Sequence, residues 1–127
     1  MPDIQTTVES FMLKASQPSE ITAKFRGTDQ EHLYMELVTE EYTELLEAFR
    51  NKDIVETADA VADLVWVLVG LASTLGIPFD PVWNEVKRSN ESKVTDGKLL
   101  KNVKTGKVMK PDTYSAPDLE AILFDVS

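Results

Sequence analysis

The sequence predicts an all-α fold: a helical bundle with a short Lys/Gly-rich loop or hairpin near the C-terminus. Three observations predict it. Apolar residues recur with helical period from Glu31 to Arg50. A second stretch, Ile54 to about Leu75, holds no helix breaker and is apolar nearly all round after Ala60. Only Asn51–Lys52–Asp53 separates the two, so the second helix must return antiparallel to the first.

The elements follow in order. Thr7 to Ser16 is a short amphipathic helix with Val8, Phe11, Met12 and Ala15 on one face, broken by Gln17–Pro18–Ser19. Thr22 to Gln30 is a loop, and Thr28 or Asp29 caps the next helix. His32, the single histidine, reads as a surface residue at a helix start. On the helix from Glu31, the residues Tyr34, Val38, Tyr42, Leu45 and Phe49 form the apolar face. The helix from Ile54 belongs in the middle of a bundle or an oligomer; its VWVLV segment also suits a buried strand, but length favours helix. Gly76–Ile77–Pro78 ends it. Asp80 as N-cap and Pro81 at the first position open a helix from Val82 to about Ser92, with Val82, Trp83 and Val86 inward. The segment KLLKNVKTGKVMKP is a loop or small hairpin turning at Lys104–Thr105–Gly106. A last short helix is capped near Pro117–Asp118.

A chain of 127 residues is expected to form one domain spanning 1–127. The absence of cysteine excludes disulfides and thiol chemistry and fits a reducing cytoplasm. The first residues show no signal-peptide pattern, and the longest apolar run, Leu64 to Ala72, is too short for a membrane span. No membrane partner is therefore expected. A formal net charge of -9 argues against nucleic acid as a partner. The charge is unevenly distributed: ten acids face two bases from Glu31 to Asp63, and eight bases face two acids from Lys87 to Lys110. An acidic half suits a metal and a basic half suits phosphate, although both also suit solvated surface.

The placement of the acids is more specific than their number. Glu41 lies at the edge of the apolar face, Glu44 lies beside Leu37 and Ala48, and Glu40 is one side chain further out. Glu36 and Glu47 point to water. Glu56, Asp59 and Asp63 share one stripe of the returning helix, which continues with Trp66, Val67 and Gly70. Bare carboxylates so placed would cost on the order of several kcal/mol each. They must be protonated, paired with bases or bound to a cation, and the facing helix offers Glu41 and Glu44 rather than bases. Carboxylates alone suit Mg²⁺ or Mn²⁺. The P-loop, GxGxxG, GxSxG, HExxH, EF-hand and Glu-x-x-His di-iron patterns are absent from the sequence. Metal-assisted hydrolysis of a phosphoanhydride fits what remains.

Glu41-x-x-Glu44 followed by Glu56-x-x-Asp59 resembles the ExxE…ExxD signature of the all-α nucleoside triphosphate pyrophosphohydrolases, which include MazG, the dimeric dUTPases and phosphoribosyl-ATP pyrophosphohydrolase. The block ADLVWVLVGLASTLGIPFDPVWNEVKRSNESK and the tail DGKLLKNVKTGKVMKPDTY resemble MazG-related proteins common in bacteria and phages. The likeness covers roughly residues 33 to 123. In some relatives the second motif carries Glu where Ala60 stands here, and Lys87 stands where relatives often have His.

The resemblance implies a MazG-like bundle whose core is completed in a homodimer or dimer of dimers. It implies cleavage of a nucleoside triphosphate to the monophosphate and pyrophosphate. Glu40, Glu41, Glu44, Glu56, Asp59 and Asp63 would hold Mg²⁺, with Mn²⁺ substituting. Glu40 or Glu41 would orient or deprotonate the attacking water. Asn90, Lys93, Lys107 and Lys110 would contact the triphosphate, from the same or a neighbouring subunit. The expected substrate is a deoxynucleoside triphosphate such as dGTP, with dUTP next, and the base would be chosen by the loop to Gly27 and by Phe11, Phe25 and Trp66. The expected location is the cytoplasm of a bacterium or of a phage's host. The rival reading is a non-catalytic acidic helical module for binding a basic partner or for oligomerisation.

Overall fold

A computed structural model describes residues 3–124. The chain divides into two compact units, one up to Phe79 and one from Asp80.

The first unit is built from α1 (Ile4–Lys14), α2 (Asp29–Arg50) and α3 (Ile54–Leu75). α1 starts earlier than its apolar period implies because Asp3 caps it: Thr6 donates its backbone N–H to Asp3 Oδ1 at 2.7 Å. Val8 and Met12 are fully buried with Tyr34, Val67 and Val69, and this cluster is the core. Of the face expected to be apolar, Ala15 is exposed and Phe11 half-exposed, its ring set edge-on to Trp66 with centroids 5.4 Å apart.

α1 is tied to the far end of α3 by side chains. Gln5 Nε2 donates to Ser73 Oγ and to the Ile77 carbonyl, and Ser73 Oγ donates to Glu9. The carbonyls at the end of α3 are satisfied from outside the helix. Glu20 N donates to the Ser73 carbonyl at 2.9 Å and Lys24 N to the Leu75 carbonyl at 3.0 Å. Gly76 closes α3 with φ 77°, and the backbone of Thr22 lies where a side chain at 76 would stand.

Thr28 is the cap of α2, and Glu31 completes a capping box. The Glu31 carboxylate is buried and accepts from Thr28 N, Thr28 Oγ1 and Arg26 N. Hydrogen bonds from Thr28 above all hold it at a pKa of about 2. The turn before α2 is thereby fastened to the helix it introduces.

α2 and α3 form the expected antiparallel hairpin, and the VWVLV segment is helical throughout. Lys52, at φ 53°, makes the tight link. The apolar face of α2 is covered only in part. Tyr34 is 3% exposed, but Tyr42 is 52% and Phe49 72% exposed. α3 likewise leaves Val61, Val65 and Leu68 open. The physical reason is supply: one hairpin and one short helix cannot cover both sides of two six-turn helices. Among the described residues no single helix is long and apolar enough to cross a membrane.

The second unit contains most of α4 (Phe79–Glu91), the paired strands β1 (Val94–Thr95) and β2 (Lys98–Leu99), and α5 (Leu119–Phe124). α4 starts at Phe79, so Asp80 and Pro81 lie inside its first turn rather than at cap and first position. Asp96 and Gly97, both at positive φ, make the hairpin turn, and a separate bridge, Lys101 to Val108, encloses the expected turn at Lys104–Thr105–Gly106. Asp118 caps α5 through Ala121 N. Trp83 and Val86, expected inward, are 60% and 36% exposed and line an apolar groove with Val94 and Leu99. A two-residue hairpin and a short helix are too small to bury them.

Candidate metal centre on the helical hairpin

The link at Asn51–Lys52–Asp53 decides which acids meet. Counting away from it on both helices brings Glu44 opposite Asp59 and Glu41 opposite Asp63, while Tyr34 reaches Gly70 further along. Glu41 and Glu44 are one helical turn apart, as are Asp59 and Asp63, so two pairs of carboxylates face each other across the helix interface.

The electrostatics of this group are unfavourable as it stands. Burial pushes the Glu41 pKa up, and Glu44, Asp63 and Asp59 add repulsion in that direction. Burial likewise raises Asp63, with Asp59 and Glu44 adding to it. Glu41 is close enough to Glu44, and Asp63 to Asp59, for each pair to share a proton. Oε2 of Glu41 is buried and accepts no hydrogen bond from any described residue. The ion pairs among the described residues join Arg26 to Glu20, Lys87 to Glu91 and Arg88 to Glu85, so none neutralises the four acids. Among the described residues no three acids or histidines already converge as a coordination shell.

Beside the four acids a cavity of about 330 Å³ opens at the turn end of the hairpin. Glu44, Glu47, Ala48, Asn51, Asp53, Glu56, Asp59 and Ala60 line it. Asp53 is engaged as the cap of α3, accepting from Glu56 N. Glu56 stands on the cavity wall next to Glu44 and Asp59; these three are exposed, contrary to the inward placement expected of them, and only Glu41 and Asp63 are half-buried, because among the described residues the hairpin has no neighbour covering this side. Glu40 is exposed and lies in a separate shallow depression with His32, Met35, Glu36 and Thr39. Of the six expected ligands, the structure brings four together, places Glu56 beside them and sets Glu40 apart. Glu47, Ala48 and Asn51 are cavity residues that the sequence reading missed; their position next to the turn was the available signal. Ala60 is 3% exposed and lines the same cavity.

The donor set fits a hard divalent cation. Four oxygen-bearing side chains stand together with no base, and one buried oxygen has no partner. A cation would relieve the repulsion that adds to burial in raising Glu41 and Asp63.

In the second unit the RSNESK segment divides by task. Arg88 makes a two-pronged ion pair with Glu85 at 2.8 Å and also donates to the Ala116 carbonyl. That pair holds Glu85 down at about 2. Ser89 is buried, and Ser92 Oγ accepts from Ser115 N. Arg88 and Ser92 hold the tail to α4. Asn90 and Lys93 face each other, with Lys93 Nζ donating to Asn90 Oδ1 at 3.0 Å. Lys110 lies over the Tyr114 ring, as does Lys93. Among the described residues Lys107 bonds through its backbone, to Thr105 Oγ1 and from Asn102 N. Asn90, Lys93 and Lys110 thus belong to one neighbourhood that Lys107 does not join. Of the aromatics expected to choose a base, Phe11 and Trp66 pack on each other, while Phe25 is 84% exposed on the loop before α2.

The profile of the phosphoribosyl-ATP pyrophosphohydrolase family matches residues 7–90. No curated protein matches the chain. The matched region takes in α2, α3 and the facing carboxylates, and the mostly helical fold agrees with it. The chain belongs to the phosphoribosyl-ATP pyrophosphohydrolase family, within the MazG-like all-α nucleoside triphosphate pyrophosphohydrolase superfamily, and is a pyrophosphohydrolase, a hydrolase of phosphoanhydride bonds.

Proposed function

We propose that the protein hydrolyses a deoxynucleoside triphosphate, dGTP first and dUTP next, to the monophosphate and pyrophosphate with Mg²⁺ as cofactor and Mn²⁺ able to replace it. The observation that carries this reading is the stranded Oε2 of Glu41 inside a group of four carboxylates without a base. Glu41, Glu44, Asp59 and Asp63 hold the cation, and Glu56 supports it from the cavity wall. When bound, the ion supplies neutralisation of the carboxylates and of the phosphate oxygens. Glu41, rather than the exposed Glu40, orients the attacking water and takes its proton, because it is the one that faces Asp63 across the hairpin. Water adds across the α–β phosphoanhydride, and the bridging oxygen leaves with pyrophosphate. Asn90, Lys93, Lys107 and Lys110 bind the phosphate chain. The open apolar side chains of α2 and α3, Tyr42, Phe49, Val61, Val65 and Leu68, support a homodimer in which a second hairpin covers them. A cytoplasmic location, bacterial or in a phage's host, and a single functional domain over residues 1–127 belong to the same reading.

The test is pyrophosphate release from a panel of the common deoxynucleoside triphosphates, dUTP and phosphoribosyl-ATP, each with and without Mg²⁺. Metal-dependent turnover of at least one deoxynucleotide supports the reading. Turnover of phosphoribosyl-ATP alone overturns the substrate, and silence on the whole panel with Mg²⁺ or Mn²⁺ overturns the activity.

A further inference from the structure

Two ammonium groups meet at one aromatic ring in the second unit. Lys93 Nζ stands 5.7 Å and Lys110 Nζ 5.0 Å from the centroid of Tyr114. The two ammonium groups carry like charge within reach of one ring, and among the described residues neither lysine has a carboxylate at ion-pair distance. Among the described residues the Lys93 ammonium donates to Asn90 Oδ1, a neutral acceptor. The arrangement therefore brings two positive charges to one ring without a counter-charge among the described residues.

The backbone fixes this arrangement. Tyr114 N donates to the Pro111 carbonyl at 3.0 Å, closing a turn that begins just after Lys110. Thr113 Oγ1 donates to the Ser92 carbonyl at 2.9 Å, and Ser115 N donates to Ser92 Oγ at 2.7 Å. Residues on both sides of the ring are thus bonded to the residue before Lys93. The ring is half-buried and stays where both lysines can reach it. An aromatic face attracts cations and offsets part of their mutual repulsion. It leaves ammonium N–H groups free for an acceptor with several negative oxygens.

We propose that Tyr114 is a positioning residue that holds Lys93 and Lys110 together as a diphosphate subsite. Its ligand is the pyrophosphate part of the substrate and the free product. That identity rests on the hydrolase reading; the capacity to bind a diphosphate does not. Lys107 lies outside the subsite, and Asn90 contributes by fixing the Lys93 ammonium.

The test is calorimetric titration of inorganic pyrophosphate into the full chain in EDTA, at fixed low salt. Tyr114→Phe keeps the ring face and is expected to bind within about twofold of the parent. Tyr114→Leu removes the face and is expected to weaken binding about tenfold. Lys93→Met and Lys110→Met are each expected to weaken it by about tenfold or more, and the double variant by less than the product of the two. Lys104→Met, in the exposed turn, serves as the unchanged control. Should Tyr114→Leu lose its helical signal, the lysine pair still decides, because independent additive effects of Lys93 and Lys110 overturn a shared subsite. Equal binding by the parent and Tyr114→Leu overturns the proposal, as does an equal loss in Tyr114→Phe, which would assign the effect to the hydroxyl. Tyrosine-dependent pyrophosphate binding without turnover of any nucleotide would retain this subsite and sink the proposed activity. Turnover with a Tyr114-independent pyrophosphate affinity would do the reverse.

Discussion

Gly70 of α3 lies directly against the ring of Tyr34 of α2: a methyl group built at residue 70 would overlap Cε1 of that ring and stand 2.9 Å from Cζ. The ring cannot retreat easily, because it is 3% exposed and its hydroxyl donates to Gln17 Oε1 at 2.7 Å. Helix propensity alone would make Gly70→Ala stabilising by about 1 kcal/mol. The contact reverses the sign, and we expect a net loss of roughly 1–3 kcal/mol by urea denaturation. A stabilised Gly70→Ala would show that the two helices do not approach this closely.

Glu41→Gln separates the stability of the site from its function. The native fold holds the Glu41 proton more tightly than the ordinary value of 4.5 allows. The metal-free parent therefore loses stability as pH rises through the raised native value, and regains it as pH falls towards 4.5. Gln carries no charge, so the metal-free variant is expected to be more stable than the parent at pH 7. Turnover is expected to fall by about 100-fold or more. Thermal melts in EDTA from pH 4 to 8 check the first effect and pyrophosphate release the second.

A cation that relieves the carboxylates must bind the folded chain in preference to the unfolded one. Saturating Mg²⁺ or Mn²⁺ is expected to raise Tm by roughly 5–10 °C. Glu44→Ala removes one member of the group and should abolish the rise. A melting curve indifferent to both ions would count against a cation held by these four carboxylates.

Glu31 has the opposite pH signature to Glu41. Its native pKa is depressed to about 2 from 4.5, so its contribution is complete above 4.5 and is lost as pH falls towards 2. Glu31→Gln is expected to be less stable than the parent at pH 7 and to show a flatter acid limb, measured by denaturant midpoints from pH 2 to 6. A parallel pair of acid limbs would contradict the hydrogen bonds from Thr28 and Arg26.

Phe49 and Val65 report on self-association. Phe49→Asp and Val65→Asp place charges on apolar surface that a second hairpin would bury. Sedimentation should show the parent as a dimer or larger and the double variant shifted to monomer, with its helicity retained. A monomeric parent would leave the open face without the proposed partner.

Much of this was legible from local chemistry. α3 runs from Ile54 to Leu75 as expected because Asp53 and Gly76 bracket it with the cap and the positive φ that its ends require. The misplaced features depend on distant partners. α4 begins at Phe79 because that residue's N–H is taken by Gln5, 74 positions away. Glu40 and Glu41 are neighbours in sequence but about 100° apart on the helix, and only the helix crossing decides which one faces Asp63. Tyr114 stood in the sequence only as the last residue of the tail resemblance, because its place beside two lysines comes from the tail's hydrogen bonds.

The exposed link Asn51–Lys52–Asp53 acts as a ruler. Surface connections ordinarily tolerate added residues well. Adding one residue inside the start of α3 would rotate everything beyond it by about 100° and advance it by about 1.5 Å. Asp59 and Asp63 would swing out of register with Glu41 and Glu44 while the helices themselves survived. The spacing between the two acidic motifs is therefore quantised: it can lengthen only in whole helical periods shared between both helices. A library of insertions at this link should sort cleanly into folded chains with the four acids in phase and folded chains without them.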